Sequence, residues 1–415
     1  MLTREENERL TRIGPGTPMG EVFRRYWIPA LLSEELPDAD GAPVRVRLLG
    51  EDLIAFRDSE GKVGLLAEAC PHRGTSLALA LNADCGLRCI FHGYKFDVNG
   101  TCVDTPTEPE GSRFAQKIRA DAYPVREAAG MIWAYLGPTD LRPNFPEFEW
   151  FGLPASHQHA YKVFEECNYA QAVEGAIDSA HAGVLHRRST WDAPPSQAFE
   201  EDLSPKLEVE YTQYGMRYGA LRNVDAGQAS QARITAVVLP CFTFIPPFIT
   251  GPKIERRLVN AYVPRDDTST WNFQVLFSRE ASFDDAHRRV EGGLQLDADY
   301  KKLRNLANNY EQDRSAMKSS NFSGITGILV QDHAVSETQG SICDRTREHL
   351  GTSDIAVIAW RRLMLRTSKQ LAETGEQPPG VHTEIPFGDI CSATIEVPPD
   401  TTWREVEPLA PALAR

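Results

Sequence analysis

The sequence predicts an α+β protein in two parts: a small antiparallel β domain, then a larger domain in which a curved antiparallel sheet packs on a long C-terminal helix. Three observations carry that expectation. From Tyr26 onward, short β-type runs are divided by Gly, Pro and Asn/Asp turns. The stretch PTDLRPNFPEFEW (138–150), with three prolines, then breaks the pattern as a linker would. Beyond it, strand-like and helical stretches mix, the longest helical one at 353–374. A chain of 415 residues is also too long for one comfortable core.

Residues 2–12 read as a short polar helix that stops before the Gly14-Pro15-Gly16 turn. Strands are expected at 44–50, 53–58, 63–69, 101–106 and 130–137. In the second part, residues 161–186 begin strand-like and become helical. Strand candidates follow at 206–211, 215–222, 232–239 and 270–278, with a helix at 300–317. Ser353 or Asp354 is placed to cap the long helix, and Gly375 with Pro378-Pro379 to stop it. The expected divisions are a helical segment at 1–26, a β domain at 27–138 and a mixed domain at 150–415.

The net charge of −14 disfavours nucleic acid and anionic membranes as partners. No apolar run approaches the roughly 20 residues of a membrane helix, and the charged start has no signal-peptide core. The expected setting is the cytoplasm, where thiols stay reduced. Eight cysteines there are not a disulfide framework, and four of them (Cys70, Cys85, Cys89, Cys102) crowd into 33 residues. Such clustering argues for metal.

The clustered stretch holds two clips, Cys70-x-His72 and Cys89-x-x-His92, separated by 16 residues. Each clip lets two ligands from one tight turn reach one centre. Two thiolates and two imidazoles suit either a structural zinc site or a Rieske [2Fe–2S] cluster with both Cys on one iron and both His on the other. Zinc fingers usually pair like with like in a clip. Here each clip carries one of each, which favours a cluster with two distinct irons. Gly74, Gly86 and Gly93 would let backbone N–H groups approach bridging sulfurs.

CPHRG-x₁₃-RCIFHGYKFD resembles the Rieske domain of ring-hydroxylating non-haem iron oxygenases, as do DTPTEP and MIWAYLGP after it. Tyr94 stands where that family more often has Trp. Cys85 and Cys102 lie outside the clips and are expected to be small buried hydrophobes.

A cluster alone only carries an electron, so a terminal acceptor is expected. Residues 168–188 offer Glu174-x₃-Asp178-x₂-His181-x₄-His186. On a helix the first three would share a face. His186 would point away unless the helix is distorted or ends near Ala182-Gly183. Two His and one carboxylate on one face of an iron leave positions open for O₂ and substrate. The resemblance implies that His181 and His186 bind iron, that Asp178 bridges the iron to a Rieske centre, and that Glu174 supports the site. The third ligand must come from afar, with Asp332, Glu337 and Asp344 as candidates. Asp332 resembles the family's distal carboxylate, and His333 has no metal role in the pattern.

QDHAVSETQGSICDRTREHLGTSD and VLPCFTFIPP look most like the phthalate dioxygenase and phenoxybenzoate dioxygenase branch. That resemblance implies a helix-grip (START/SRPBCC-like) catalytic domain, a mononuclear Fe(II) beside the [2Fe–2S] cluster, and a head-to-tail homo-trimer or hexamer. It also implies O₂ and a small aromatic substrate, often carboxylated. No GxGxxG after a strand and no flavin fingerprint is present, so NAD(P)H electrons need a separate reductase. Arg217 and Arg233, in strand-like segments, are the candidate carboxylate clamps. Cis-dihydroxylation is the first expectation, and monohydroxylation or O-dealkylation the second. Readings of another class are an electron-transfer Rieske protein with an inert second domain and a zinc-stabilised binder of a small hydrophobic ligand.

Overall fold

The computed structural model describes residues 1–187, 202–224, 229–250, 254–283, 294–381, 384–398 and 400–405. The chain begins with α1 (Arg4–Thr11). Thr3 Oγ1 accepts from the Glu6 N–H (3.1 Å) and the Glu6 carboxylate from the Thr3 N–H (2.8 Å), a reciprocal cap. Pro18 opens α2 (Pro18–Phe23). Then come β1 (Trp27–Leu32), β2 (Val44–Leu48), β3 (Glu51–Arg57) and β4 (Val63–Ala67). The clips sit among four very short strands, β5 (Leu81–Asn82), β6 (Leu87–Arg88), β7 (Lys95–Phe96) and β8 (Cys102–Asp104). β10 (Met131–Tyr135) returns to pair with β1, and β9 (Val125–Ala128) pairs with β10. All three small sheets are antiparallel.

The second part starts with β11 (Gln158–Glu165), α3 (Tyr169–Ile177) and α4 (Ala182–Leu185). Six strands follow: β12 (Lys206–Thr212), β13 (Gly215–Val224), β14 (Ala229–Val238), β15 (Phe242–Thr250), β16 (Ile254–Asp266) and β17 (Ser269–Phe277). After them come α5 (Ile328–Glu337), α6 (Ile355–Thr374) and β18 (Ala393–Val397). Among the described residues these strands form one antiparallel sheet, ordered β11-β17-β16-β15-β14-β13-β12, with β18 on β14. α6 ends as the sequence predicts, at Gly375 with φ +73°. Asp354 precedes it, but its carboxylate accepts from the Gly351 N–H (2.6 Å) and makes no side-chain cap.

One apolar core crosses the expected divisions. Leu10, Phe23, Trp27 and Trp133 join Tyr169, Phe242 and Trp360 in it. The first helices belong to the second part: Phe23 meets Tyr169 edge-on at 4.8 Å, and the Tyr169 hydroxyl donates to Leu10 O. The linker stretch is packed too, because Phe148 and Trp150 are buried and stack 4.6 Å apart. A separate small core, with Ile54, Phe56, Leu87 and Phe96, lies with the clip cysteines.

Two local expectations are corrected. Residues 300–317 are not one helix: only the 3₁₀ turns Leu306–Glu311 and Ala316–Lys318 form, and Asn309, Tyr310 and Glu311 have positive φ. Cys102 is buried as expected, but Cys85 is only half-buried and has φ +61°.

Candidate metal centres and the cavity between helices and sheet

Both clips fold into the same loop. The Cys70 N–H donates to Thr75 O (2.9 Å) and the Gly74 N–H to Cys70 O (2.8 Å). The Cys89 N–H donates to Tyr94 O and the Gly93 N–H to Cys89 O, both at 2.9 Å. Each loop turns through a glycine in the left-handed region, φ +76° at Gly74 and +75° at Gly93, where a Cβ would be strained. The thiols lie inside, Cys70 2% and Cys89 3% exposed. Burial, with Cys89 alongside, pushes the Cys70 thiol up to about 11, so binding a cation there displaces a proton. The imidazoles lie further out and half-buried, 4.5 Å apart between ring centroids. His72 stacks on Tyr94 at 4.4 Å, which fixes its plane. His92 Nδ1 is buried without a hydrogen-bond partner, as a donor atom turned toward a metal would be. Sulfur inside and nitrogen outside fits a two-iron cluster better than one tetrahedral centre.

The second ligand segment departs from the expected single helical face. α3 ends at Ile177, and Asp178 is extended (φ −83°, ψ 101°). Asp178 Oδ1 accepts from the backbone N–H groups of Ala180 (2.8 Å) and His181 (3.3 Å), a local turn that competes with helix. His181 then precedes α4 and His186 follows it, so the two imidazoles flank a one-turn helix with centroids 5.2 Å apart. The break falls before Ala182-Gly183. Asp178 Oδ2 lies 3.9 Å from His181 Nδ1, which has no hydrogen-bond partner.

Glu174 is not part of this group. Its carboxylate takes Arg345 Nε (3.0 Å) and Nη2 (2.9 Å) and Arg361 Nε (2.7 Å) in the interior. Glu337 accepts from Lys302 Nζ (2.7 Å), Tyr310 Oη (2.6 Å) and the Glu166 N–H (2.9 Å), and Asp344 serves Thr346 at the surface. Asp332 is the candidate that reaches the histidines, from the middle of α5 rather than from its start. Its Oδ1 lies 3.1 Å from His186 Nε2 and 3.4 Å from His181 Nε2. Neither contact is aligned as a hydrogen bond, and Oδ1 remains buried without a partner. Three donor atoms within 4.8 Å of one another, facing a common point, fit a divalent ion. Burial acts to raise the Asp332 carboxyl, but the two histidines more than offset it and hold it well below the carboxylate range.

The sequence pattern gave no sign of Gln331. Its Nε2 donates to Ile325 O (2.7 Å), so Oε1 is the acceptor for His186 Nδ1 (2.6 Å). That bond puts the imidazole proton on Nδ1 and leaves Nε2 to face Asp332.

Helices and sheet enclose a cavity of about 300 Å³ whose lining includes His181, His186 and Asp332. Arg233 on β14 lines it, with Thr394 Oγ1 at 3.4 Å and Pro246 O at 3.5 Å. Burial, with Arg222 nearby, pulls the Arg233 guanidinium down to about 10. Arg217 does not line it. Side chains alternate along β13, so Tyr218 faces the cavity while Arg217 pairs with Glu210 (2.7 Å) and lies over Trp403 on the other face. The lining also includes Glu165, Asn260 and Asn272, which the sequence did not single out, and His333, which the pattern left without a metal role. The available signal was polar residues alternating through apolar strands, as in NFQVLF.

The comparisons agree with this geometry. The Rieske [2Fe-2S] domain family matches residues 26–124. The family described as LigXa C-terminal domain like matches 134–411. The chain is 39% identical to the phthalate 4,5-dioxygenase oxygenase subunit of Pseudomonas putida, covering 98% of this chain and 95% of that one. It is 31% identical to the 5,5'-dehydrodivanillate O-demethylase oxygenase subunit of Sphingobium sp., covering 94% and 87%. In fold it matches dicamba monooxygenase bound to 3,6-dichlorosalicylic acid with TM-score 0.58 at 20% identity, covering 85% and 99%. No helix among the described residues is long and apolar enough to cross a membrane. With its cysteine–histidine clips and its separate imidazole–carboxylate group, the chain belongs to the Rieske non-haem iron oxygenases, as an oxygenase component with a [2Fe–2S] cluster and a mononuclear iron.

Proposed function

We propose that this chain is the terminal oxygenase of a multicomponent system that hydroxylates an aromatic carboxylate with O₂, drawing electrons from NAD(P)H through a separate reductase. The observation that carries the substrate class is Arg233, a guanidinium lining the same cavity as His181, His186 and Asp332. A relative named for phthalate supports it. Cys70 and Cys89 hold one iron of the cluster and His72 and His92 the other, in a unit spanning 27–138. His181, His186 and Asp332 hold the mononuclear iron in the unit spanning 150–415. When bound, that iron supplies a site for reductive activation of O₂ beside the substrate. The chain's own part is to orient: Gln331 fixes the His186 tautomer, Asp178 holds the His181 turn, and Arg233 anchors the ring's carboxylate.

Asp178 links the iron site to the cluster of a neighbouring copy in a head-to-tail trimer, single or paired as a hexamer. Exposed Ile90 and Phe91 beside His92, and exposed Val184, Phe322 and Val335 near Asp178, support such a contact.

O₂ uptake by the reduced protein across a panel of aromatic acids tests the activity. Arg233→Ala should raise KM for a carboxylated arene about tenfold or more, the worth of a buried charge-assisted hydrogen bond of about 1.5–3 kcal/mol. An unchanged KM removes Arg233 as the clamp. A second reading, monooxygenation or O-dealkylation, is favoured by the O-demethylase relative. Labelled O₂ separates the two, since dihydroxylation puts two labelled atoms into the product and monooxygenation one.

A further inference from the structure

On strands β11, β16 and β17 the cavity wall carries three buried acceptors. Strand register puts them on one face: Tyr262 on β16 is opposite Asn272 on β17, Val163 on β11 is opposite Asn272, and Glu165 lies two residues along from Val163. Asn260, two residues before Tyr262, shares the face. All three polar residues are buried, with Glu165 1%, Asn272 1% and Asn260 3% exposed. Glu165 Oε1, Asn260 Oδ1 and Asn272 Oδ1 are nevertheless without a hydrogen-bond partner. His333 Nε2 comes within 3.2 Å of Glu165 Oε1, but without hydrogen-bond alignment. Buried acceptors with no donor are costly, and a ligand that supplies the donor relieves the cost.

We infer that Glu165, backed by Asn272 and Asn260, receives a hydrogen-bond donor of the substrate, which makes the substrate a hydroxyl- or amino-substituted arene carboxylate. This rests on the reading of Arg233 as carboxylate anchor and narrows it. Four strand spacings separate β11 from β14, about 19 Å along the sheet before the side chains reach inward. The donor therefore sits at the end of the substrate remote from the carboxylate, para on one ring or on a second ring. An ortho hydroxyl cannot satisfy both ends. The site would thus select for a functional group that takes no part in the oxygen chemistry.

Calorimetric titration of the holoenzyme with benzoate, 2-hydroxybenzoate, 4-hydroxybenzoate and phenol tests this in wild type, E165Q and E165L. The wild type should bind 4-hydroxybenzoate about tenfold or more tighter than benzoate and 2-hydroxybenzoate. E165L should erase that preference while shifting benzoate less than about threefold. E165Q, which keeps the shape and one acceptor oxygen, should fall between. Retention of the cluster's visible absorption shows that each variant is folded. Equal wild-type affinity for all three acids overturns the inference, as does an E165L that weakens benzoate and 4-hydroxybenzoate alike. If no arene acid binds, the carboxylate reading is what has failed. Phenol then decides: binding that E165L abolishes upholds the donor site, and binding that is absent in wild type or indifferent to E165L overturns it.

Discussion

Asp332 Oδ1 has two imidazole nitrogens within 3.4 Å and no aligned donor, an environment that a cation would complete. Asp332→Ala and His181→Ala should each lose the mononuclear iron and turnover, while the Rieske absorption and EPR signals stay. Iron analysis and spectroscopy read the two centres separately, and turnover at the normal rate in either variant would discard that ligand. At this scale the sequence was informative where chemistry dictates residue type. Two Cys and four His at fixed spacings have few alternative uses. It was uninformative where facing decides. In YGMRYGALRN apolar residues occupy both phases of the strand, so nothing in the string says that Tyr218 faces the cavity and Arg217 faces Trp403.

Glu174 illustrates how elements are held. It joins α3 to Arg361 on α6 and to Arg345 in the segment before it, and Arg361 also takes both oxygens of Glu348 (2.5 and 2.8 Å). Glu174→Gln leaves two interior guanidiniums short of a charge and should destabilise the fold by about 3–5 kcal/mol in urea unfolding at neutral pH. Burial acts to raise the Glu174 carboxyl, but Arg345 and Arg361 more than offset it, so its pKa in the fold lies below the ordinary value. The stability it contributes is therefore complete above about pH 4.3, the unfolded value, and is lost as pH falls through the lower folded value. Wild type should lose stability over that acid range more steeply than E174Q, and parallel slopes would deny Glu174 this role. Element boundaries were legible where local chemistry sets them, as at Gly375 after α6. They were illegible where a long-range partner or a local turn prevails. Asn305 and Asn308 cap and bend a stretch whose composition suggests helix. Pro264 and the charged IERR start hid β16, although the proline sits at a register shift near the strand's end.

Across the whole molecule, two metal centres in different cores have to exchange an electron. Asp178→Asn keeps the size of the side chain and its turn-holding Oδ1, but replaces an acceptor facing His181 with a donor. Both centres should remain loaded and the cluster should still reduce, while product formation falls by about 100-fold. Stopped-flow reoxidation of the pre-reduced cluster with substrate and O₂ checks this, and a normal rate would remove Asp178 from the route. Sedimentation should give a trimer or twice a trimer, and a fully active monomer would undo the head-to-tail arrangement. The order of the two cysteine–histidine clips and the later imidazole–carboxylate residues along the chain is plain in the string itself. That α1 and α2 pack into the core shared by both parts is not, because nothing local in Leu10 or Phe23 names Tyr169 as a neighbour.

The proposed ligand atoms and the residue that orients His186 all come from the helical side, His181 and His186 at the ends of α4 and Gln331 and Asp332 on α5. The side chains proposed to tell one small molecule from another, Arg233, Asn260, Asn272 and Glu165, all come from the sheet. Variation in the strands can therefore redraw the range of acceptable molecules while leaving metal loading intact, whereas variation on α5 puts loading at risk with each change. A programme to retarget this scaffold should mutate β11, β14, β16 and β17 and hold α4 and α5 constant.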